Sequence, residues 1–244
     1  MNMTTPANEI SDALLRAGIY RTLAQAFSYP DQGMVDALKE SWSSQLLFWK
    51  NGWPDGLREL LVTTLEDLQS SNVPDLAEAH VRLFGPAARC SLTETAWGDA
   101  ARLLGKPAQI ADISGFYGAF GLQPVSGSDA TPEDHLVTEL EFMSILYLKE
   151  AYAHSAGMDE QLAITRDARN KFLEEHVATW IDYWAEQVQG ENPPAFYGTL
   201  AALLQSILRS ECVRLGLKPH SIRARAADAE VGADALECPL AASP

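Results

Sequence analysis

The chain has 244 residues, of which 47% are hydrophobic, and this is enough for a globular protein with a sizeable core. Its formal net charge of −15 argues against binding to nucleic acid or to an anionic membrane surface. A cationic partner would complement this charge, but on charge alone the favoured interpretation is that the acidity keeps the protein soluble. Three widely spaced cysteines, Cys90, Cys212 and Cys238, argue against a disulfide framework or a Cys-x-x-Cys zinc site and fit a reducing cytoplasm.

Helical periodicity dominates the chain, and the alternation that marks a β-strand is scarce. Residues 1–9 are polar and lack the basic and apolar regions of a signal peptide. No apolar run approaches the ~18–20 residues of a membrane span, so we expect a cytoplasmic protein without stable membrane association. In the first half of the chain the predicted helices are 9–27, 32–47, 54–69, a shorter one over 73–84 and a brief one over 94–104.

The composition changes between residues 105 and 130. Five glycines and two prolines in this segment leave room for at most a short helical turn, around Phe116 and Tyr117, and they predict a hinge. After it, helices are predicted over 132–155, over 159–189 with a possible break near Glu175, and over 193–216. From residue 218 on, the chain is rich in alanine and has no Phe, Trp or Tyr, which predicts a mostly disordered tail.

Together these elements predict a single all-α globule of roughly ten helices in two lobes. The predicted domain covers 1–217, with an N-terminal lobe over 9–104, a hinge over 105–130 and a C-terminal lobe over 131–217. The tail over 218–244 is predicted to lie outside this globule.

The most informative stretch begins at Thr131 and reads Thr-Pro-Glu-Asp-His-Leu-Val-Thr-Glu-Leu-Glu-Phe-Met. Thr131 suits the N-cap of a helix, and Pro132 suits its first position. The acids Glu133 and Asp134 suit the positive end of the helix dipole. The pattern therefore places His135 in the first turns of a long helix, beside an aspartate, at the mouth of whatever groove the helix lines.

The Pro-x-Asp-His-Leu-x-x-Glu-Leu-x-Phe-Met pattern of this stretch resembles the TorD/DmsD family of molybdoenzyme maturation chaperones, which are relatives of the NarJ chaperones. Further segments resemble the family in the same order, and together they are spread over roughly residues 9–217. They are 20–30, 82–97, 112–121, the Phe-Leu-x-x-His-Val-x-x-Trp run over 172–180, and 196–204. The chain departs from the family at Thr95, where a serine is more usual, at Val177 and in its long tail.

The resemblance implies an all-α protein that is not an enzyme and carries no cofactor. Chaperones of this family bind the N-terminal twin-arginine leader of the catalytic subunit of a molybdenum-containing oxidoreductase. They hold the subunit in the cytoplasm until its cofactor has been inserted and only then release it for export, a step in building the enzymes of anaerobic respiration. Since some members form domain-swapped dimers, we expect a monomer or a swapped dimer.

The acids of the motif are the predicted peptide-binding residues. Asp134 could pair with a leader arginine through bidentate hydrogen bonds, or it could reach back toward Thr131 as a helix cap. The resemblance favours the contact with the peptide, and it implies that Glu133 and Glu139 lie near the twin arginines. His135 is predicted to line the groove with a hydrogen bond to a neighbour.

Three aromatic side chains are predicted to receive the apolar part of the leader. Phe84, Trp97 and Tyr117 each lie at a helix end or near a glycine or proline. Aromatic residues at helical spacing are more often part of a core, and this alternative stays open for each of the three.

The main alternative function is a metal-dependent enzyme built on a helical bundle, with His135, Glu139 and His176 as ligands. His135 and Glu139 are four residues apart and would share one face of a helix. Di-iron bundles, however, use Glu-x-x-His pairs, and Pro132 and Leu173 occupy the glutamate position before the two histidines. No nucleophile signature such as Gly-x-Ser-x-Gly occurs, so a binding protein is favoured over an enzyme.

Overall fold

The structure, a computed structural model, describes residues 6–45, 55–86, 88–98, 105–123 and 131–222. Within these ranges the regular elements are helical, which confirms the all-α prediction. The α-helices are α1 (Pro6–Phe27), α2 (Gln32–Gln45), α3 (Asp55–Ser70), α4 (Val73–Phe84), α5 (Lys106–Ala119), α6 (Leu136–Ser155), α7 (Asp159–Phe172), α8 (Ala178–Gly190) and α9 (Ala195–Leu215), with a 3₁₀ turn at Glu94–Ala96 and a π-helical turn at Leu173–Val177. Because α7, the π turn and α8 follow one another without a gap, the described residues hold eight separate α-helical rods, slightly fewer helices than predicted.

Helix α5 corrects the prediction for the glycine-rich segment. It has 14 residues, where at most a short turn was predicted. Pro107 lies at its start, where a missing N–H removes no helical hydrogen bond. Gly115 and Gly118 are exposed, and the burial of Ile113 and Tyr117 outweighs the ~1 kcal/mol that each glycine costs relative to alanine.

Some predictions fall partly outside the described residues. The helix predicted over 94–104 begins as the 3₁₀ turn Glu94–Ala96, and residues 99–104 lie outside the described ranges. Residues 124–130 of the predicted hinge and 223–244 of the predicted tail also lie outside them. The division into two lobes, a hinge and a tail therefore stays a prediction.

The helices pack around one continuous apolar core. α1 packs along α6 and α3 packs against α9, so both pairs join helices from the first half of the chain to helices from the second. α6 also packs on α7, and α8 packs on α9. The largest fully buried side chains include Trp42, Trp180, Trp184, Tyr20, Tyr147 and Tyr197. None of the described helices is long and apolar enough to cross a membrane.

Ion pairs with buried carboxylates also join α1 to α9 and α6 to α7. Arg16 of α1 pairs with Glu211 of α9. Glu150 of α6 pairs with two arginines of α7, Arg169 and Arg166, and lies 2.7 Å from the Nε of Arg166. Because a buried charge is costly unless it is paired, these contacts disfavour any packing that would separate the helices.

Candidate functional site

The Asp134 motif lies where two segments of the chain run antiparallel, just before α6 and around the 3₁₀ turn. The Leu136 N–H donates to the Leu92 carbonyl over 2.7 Å, and the Glu94 N–H donates to the Asp134 carbonyl over 2.8 Å. These backbone bonds hold the 3₁₀ turn against the first residue of α6. We call this pairing of Leu92 and Glu94 with Leu136 and Asp134 the Asp134 junction.

Helix α6 begins at Leu136, and the predicted start at Thr131 and Pro132 is wrong. His135 is the N-cap residue, and its Nδ1 accepts a hydrogen bond from the Val137 N–H over 3.2 Å. The backbone just before α6 is bonded across the junction instead of continuing the helix. A tertiary contact has therefore overruled the local capping preference of Thr131.

The Asp134 side chain is buried and already has a partner within the chain. It is 3% exposed, and its Oδ2 accepts hydrogen bonds from the Thr95 N–H over 3.3 Å and from the Thr95 hydroxyl over 2.5 Å. Thr95 belongs to the 3₁₀ turn, so the carboxylate ties this turn to the start of α6. The capping of α6, which was the alternative role for Asp134, belongs to His135.

The His135 imidazole is half-buried and acts as a neutral acceptor. Burial lowers the pKa of His135 to about 4, although the nearby Asp134 carboxylate acts in the opposite direction. An unprotonated Nδ1 is what the hydrogen bond from Val137 requires. This role could not be predicted from the sequence, because histidine is not among the side chains that commonly cap helices.

Two carboxyl groups from different elements meet in the interior beside the junction. Glu94 of the 3₁₀ turn and Glu139 of α6 are both fully buried. Glu94 accepts a hydrogen bond from Gln109 of α5 over 2.5 Å, whereas neither oxygen of Glu139 has a hydrogen-bond partner among the described residues. Burial and the charge of Glu94 raise the pKa of Glu139 well above its usual range, which favours the protonated form of Glu139.

His176 extends this polar group toward the surface. Its Nδ1 lies 3.2 Å from the Glu94 carboxylate, and its Nε2 lies 3.3 Å from Asp112 of α5. Burial acts to lower the pKa of His176, but the hydrogen bond and charge of Glu94, together with the charge of Asp112, outweigh burial and raise this pKa. The Asp112 side chain is 62% exposed. Glu139, Glu94, His176 and Asp112 therefore form a path of ionisable groups from the interior to solvent.

The three residues of the alternative metal site are not brought together. His135 is bonded to the backbone of α6, whereas His176 contacts Glu94 and Asp112. In the part of the chain that the structure describes, no group of three or more His, Cys, Asp or Glu side chains has the geometry to hold a metal ion. The ligand set of His135, Glu139 and His176 is therefore wrong for this conformation.

Glu133 and Tyr117 connect α5 to the junction. The Tyr117 hydroxyl donates to the Glu133 carbonyl over 2.8 Å, and the Ser114 hydroxyl donates to the Glu133 carboxylate. The Tyr117 side chain is 5% exposed, and its ring packs on Phe142 with centroids 4.7 Å apart. The structure thus brings five of the predicted site residues into one region: Tyr117, Glu133, Asp134, His135 and Glu139.

Phe84 and Trp97 are also largely buried, each 8% exposed. Phe84 packs against Phe27 and Trp184. Trp97 stacks on Trp180, with ring centroids 6.4 Å apart. In this conformation the two rings offer a peptide little surface, and their part in peptide binding stays a prediction.

Exposed apolar surface lies at the C-terminal end of α5. A cleft of about 290 Å³ opens there between α5, α6 and α7, and Phe120 is part of its lining. Tyr152, Ile164 and Met158 also line the cleft and are 68%, 56% and 36% exposed. These residues could not be singled out from the sequence, because periodicity does not distinguish an apolar residue that is buried from one that is exposed.

Comparisons with known proteins agree on one family. The family model described as "Nitrate reductase delta subunit" matches residues 50–186. The selenate reductase assembly chaperone protein of Thauera selenatis is 30% identical over 197 residues, which cover 81% of this chain and 88% of that protein. The chlorate reductase assembly chaperone protein of Ideonella dechloratans is 27% identical over 205 residues, which cover 84% and 91%.

The chaperone protein TorD of Vibrio cholerae is 29% identical over 150 residues, which cover 60% of this chain and 64% of that protein. These matches span the helices that build the Asp134 junction and confirm the resemblance found in the sequence. The chain therefore belongs to the family of maturation chaperones related to TorD and to the nitrate reductase delta subunit, NarJ.

Proposed function

We propose that this protein is a cytoplasmic maturation chaperone for the catalytic subunit of a molybdenum-containing oxidoreductase. It binds the apo subunit and its twin-arginine leader, assists cofactor insertion, and withholds the subunit from export until insertion is complete. The observation that carries the proposal is the match, over four-fifths of the chain, to proteins named as reductase assembly chaperones. The same names support a binding role rather than catalysis.

Asp112 lies 3.3 Å from His176, and Glu174 and Glu175 directly precede His176 in the π turn. We assign the leader arginines to these three carboxylates, Asp112, Glu174 and Glu175, and call them the acidic rim. Asp112 and Glu175 are exposed, and Glu174 is half-buried. A guanidinium group matches a carboxylate through two parallel hydrogen bonds, so arginine suits this rim better than lysine does. The net charge of −15 would attract such a cation from a distance.

Helix α5 connects the acidic rim to the apolar cleft. Asp112 and Phe120 are eight residues apart, which corresponds to about 12 Å along the helix. A leader with its arginines at the rim can therefore lay its apolar segment along α5 and into the cleft beside Tyr152 and Ile164. An apolar surface next to a charged edge is typical of sites that bind an amphipathic segment.

In this proposal the residues of the Asp134 motif, which lie in the interior beside the acidic rim, also contribute to binding of the leader arginines. Asp134 already accepts hydrogen bonds from Thr95. To bind a leader arginine, it gives up a hydrogen bond from Thr95 and accepts one from the guanidinium group instead. Neither oxygen of Glu139 has a hydrogen-bond partner among the described residues, and a guanidinium nearby would stabilise its ionised form. The hydrogen bonds of Glu133 and His135 hold the backbone on either side of Asp134 in place.

Titration of the purified full chain with a twin-arginine leader peptide of a molybdoenzyme subunit from the same organism tests the proposal. We expect micromolar or tighter binding that weakens as salt is added, because salt screens the charges of the rim. Replacing Asp112 by Asn together with Glu175 by Gln should weaken binding by about tenfold, since each exposed ion pair is worth up to ~1 kcal/mol.

A matched control removes the same charge from another surface. The variant Glu59→Gln with Glu66→Gln changes two exposed acids of α3 and should bind the leader as the unaltered chain does. Equal losses in the two double variants would show that net charge, and not the rim, attracts the peptide. Absence of binding to both the leader and the complete apo subunit would overturn the proposed function.

A further inference from the structure

Helix α5 contacts the rest of the molecule through one row of apolar side chains. Ile113, Phe116, Tyr117 and Phe120 have the spacing i, i+3, i+4, i+7, which places them on one face of the helix. Ile113 and Tyr117 are buried, and Phe116 and Phe120 are partly buried against the core. α5 is therefore bound to its own molecule in the way that an amphipathic helical peptide binds in the groove of a partner protein.

The surface under this row is aromatic. The Phe116 ring packs on Phe172 with centroids 5.3 Å apart, and the rings of Tyr117 and Phe120 pack on Phe142 at 4.7 and 5.8 Å. Phe142 and Phe172 are fully buried, so departure of α5 would expose two large apolar rings. We call the surface that α5 covers here the α5 groove, and it consists of three side chains: Phe142, Phe172 and His176.

The groove has a carboxylate at the end that faces the start of α5. Gln109, four residues before the first apolar anchor, donates a hydrogen bond to Glu94 over 2.5 Å. Glu94 is fully buried and lies beside Glu139, neither oxygen of which has a hydrogen-bond partner among the described residues. The neutral Gln109 amide thus faces two acids, and a side chain with a positive charge in its place would complement them better.

Helix α5 has little stability of its own. Two of its 14 residues are buried, compared with 11 of the 20 residues of α6. Gly115 and Gly118 lie inside the helix, and the N-cap residue Gly105 supplies no side-chain hydrogen bond. A helix of this length and composition does not persist alone in water. We therefore expect α5 to unfold when its row of side chains leaves the groove.

We propose that α5 is a displaceable helix and that an amphipathic helix of the client replaces it in the α5 groove. This helix carries large apolar residues at i, i+3, i+4 and i+7 and an arginine or lysine four residues before the first of them. α5 itself shows the spacing that the groove accepts, and Glu94 provides the complementary charge. That the helix belongs to the client rests on the proposed function, whereas the opening of the groove does not.

Displacement of α5 also removes part of the surface that we assign to the leader. Asp112 of the acidic rim and Phe120 of the apolar cleft both belong to α5. A molecule with another helix in its α5 groove therefore binds the leader less tightly. By linkage, a bound leader stabilises α5 in place and disfavours entry of the other helix.

Hydrogen exchange of the full chain, measured by mass spectrometry, tests whether α5 opens separately. Amides of α5 should exchange at least about tenfold faster than those of α6, relative to unfolded peptides of the same sequences. In the variant Gly115→Ala, Gly118→Ala, exchange of α5 should slow by about ten- to thirtyfold, because each glycine weakens a helix about fivefold relative to alanine. An added Cβ atom has open space at both positions, so these substitutions change no tertiary contact.

A matched control changes two helical glycines elsewhere. Gly18 of α1 and Gly190 of α8 also have open space around an added Cβ atom. The variant Gly18→Ala, Gly190→Ala should leave the exchange of α5 unchanged. Exchange of α5 only together with α6, in complete unfolding, would overturn the proposal that α5 is displaceable.

Binding to the groove is measured with a defined probe, a fluorescein-labelled peptide of residues 106–121 that carries Gln109→Arg, Gly115→Ala and Gly118→Ala. Its affinity for the full chain should fall in the variant Gly115→Ala, Gly118→Ala by the same factor as α5 exchange slows, because both depend on the open fraction. The variant Ile113→Ala, which removes an anchor of α5, should bind the probe at least about tenfold more tightly and keep the slow exchange of α6. A probe that retains Gln109 should bind at least about threefold more weakly.

The outcomes separate this inference from the proposed function. Equal probe affinity of the unaltered chain and of the variant Gly115→Ala, Gly118→Ala would overturn binding in the α5 groove. Probe binding that follows α5 exchange, with no binding of leader or apo subunit, would support the groove and contradict the proposed function. If the apo subunit binds both proteins equally while the probe does not, the assignment of the groove to the client is wrong.

Discussion

Asp134 and Glu139 are buried acids of the same motif, and their surroundings differ in one respect. Asp134 receives two hydrogen bonds from Thr95, whereas Glu139 receives none from the described residues and lies beside Glu94. A buried carboxylate is stable only where donors compensate for the water it has lost. Since both side chains are buried, the supply of hydrogen-bond donors is what distinguishes the surroundings of the two acids.

Replacing Asp134 by Asn should lower the free energy of unfolding by about 1–3 kcal/mol, because the Thr95 hydroxyl and N–H lose a charged acceptor. Urea denaturation followed by circular dichroism measures this change. The control Glu133→Gln alters a half-buried acid and should cost less. If leader affinity falls only as far as stability does, Asp134 is a structural residue and does not contact the leader.

The raised pKa of Glu139 predicts that stability decreases as pH rises. The folded chain keeps a proton on Glu139 at pH values where the unfolded chain, with a pKa of 4.5, has lost it. The stabilisation from this group is thus fully present below pH 4.5 and is lost as pH rises through the folded pKa, by at most about 1.4 kcal/mol per pH unit. Urea midpoints between pH 4 and 8 should show this decline in the unaltered chain and less of it in Glu139→Gln. Parallel curves for the two proteins would contradict the assignment.

At the scale of the elements, most helices could be predicted because each buries one face and therefore repeats apolar residues with helical periodicity. Near Glu175, where a possible break was predicted, the helix continues without a gap, and only its hydrogen-bond pattern changes, in the π turn Leu173–Val177. The start of α6 and the length of α5 could not be predicted, since both depend on contacts with segments that are distant in sequence. The glycine content of α5 led to the wrong prediction of at most a short turn. Burial of Tyr117 stabilises this helix more than the low helix propensity of glycine destabilises it.

The candidate site shows the same limit. The motif around Asp134 could be found because its residues are adjacent in the sequence. Glu94 and Asp112, which complete the site, come from the 3₁₀ turn and from α5, and no local pattern connects them to His176. Their proximity follows from packing, which a single sequence does not reveal.

His176 joins the 3₁₀ turn, α5 and the π turn, so its replacement tests how these elements are held together. His176→Ala leaves Glu94 without its cationic partner and should lower the free energy of unfolding by about 3 kcal/mol at pH 6. The raised pKa of His176 means that its stabilisation is fully present below pH 6.5 and is lost as pH rises through the folded pKa. The difference between variant and unaltered chain should therefore shrink in alkaline solution.

A second histidine gives the control for this experiment. His154 contacts Glu9 over 3.1 Å at a partly exposed position, and its replacement by Ala should cost less than about 1 kcal/mol. A cost for His176→Ala that is as small as this, or that does not change with pH, would contradict the proposed ion pair with Glu94.

For the whole molecule, the fold class followed from periodicity, but the pairing of helices did not. α1 lies on α6 and α3 lies on α9, although more than a hundred residues separate the members of each pair. Arg16 and Glu211 form part of this arrangement, and each alone is indistinguishable in the sequence from a surface charge. Because these contacts join distant parts of the chain, we expect the side chains of the core to become accessible to solvent together, when the whole molecule unfolds.

Thiol reactivity tests this cooperative protection. Cys90 and Cys212 are buried, and burial raises the pKa of each thiol to about 11. In a variant with Cys238→Ser, neither remaining thiol should react quickly with a disulfide reagent at pH 8, and both should react after unfolding in urea. Fast reaction of one thiol in the native protein would show that the core opens locally near that residue.

The π turn has a consequence for the angular position of side chains around the α7–α8 axis. Phe172, His176, Trp180, Trp184 and Val188 are buried at intervals of four residues. In a regular α-helix each such interval drifts by about 40°, so the last of them would face well away from the first. A π turn, with its longer i→i+5 ring, rotates less per residue and takes up part of this drift. Inserting one residue into the regular helix just before Trp180 would rotate the rest of α8 by about 100° relative to α7 and carry Trp180 and Trp184 out of the core, so the number of residues between Phe172 and Trp180 is constrained as strictly as their identity.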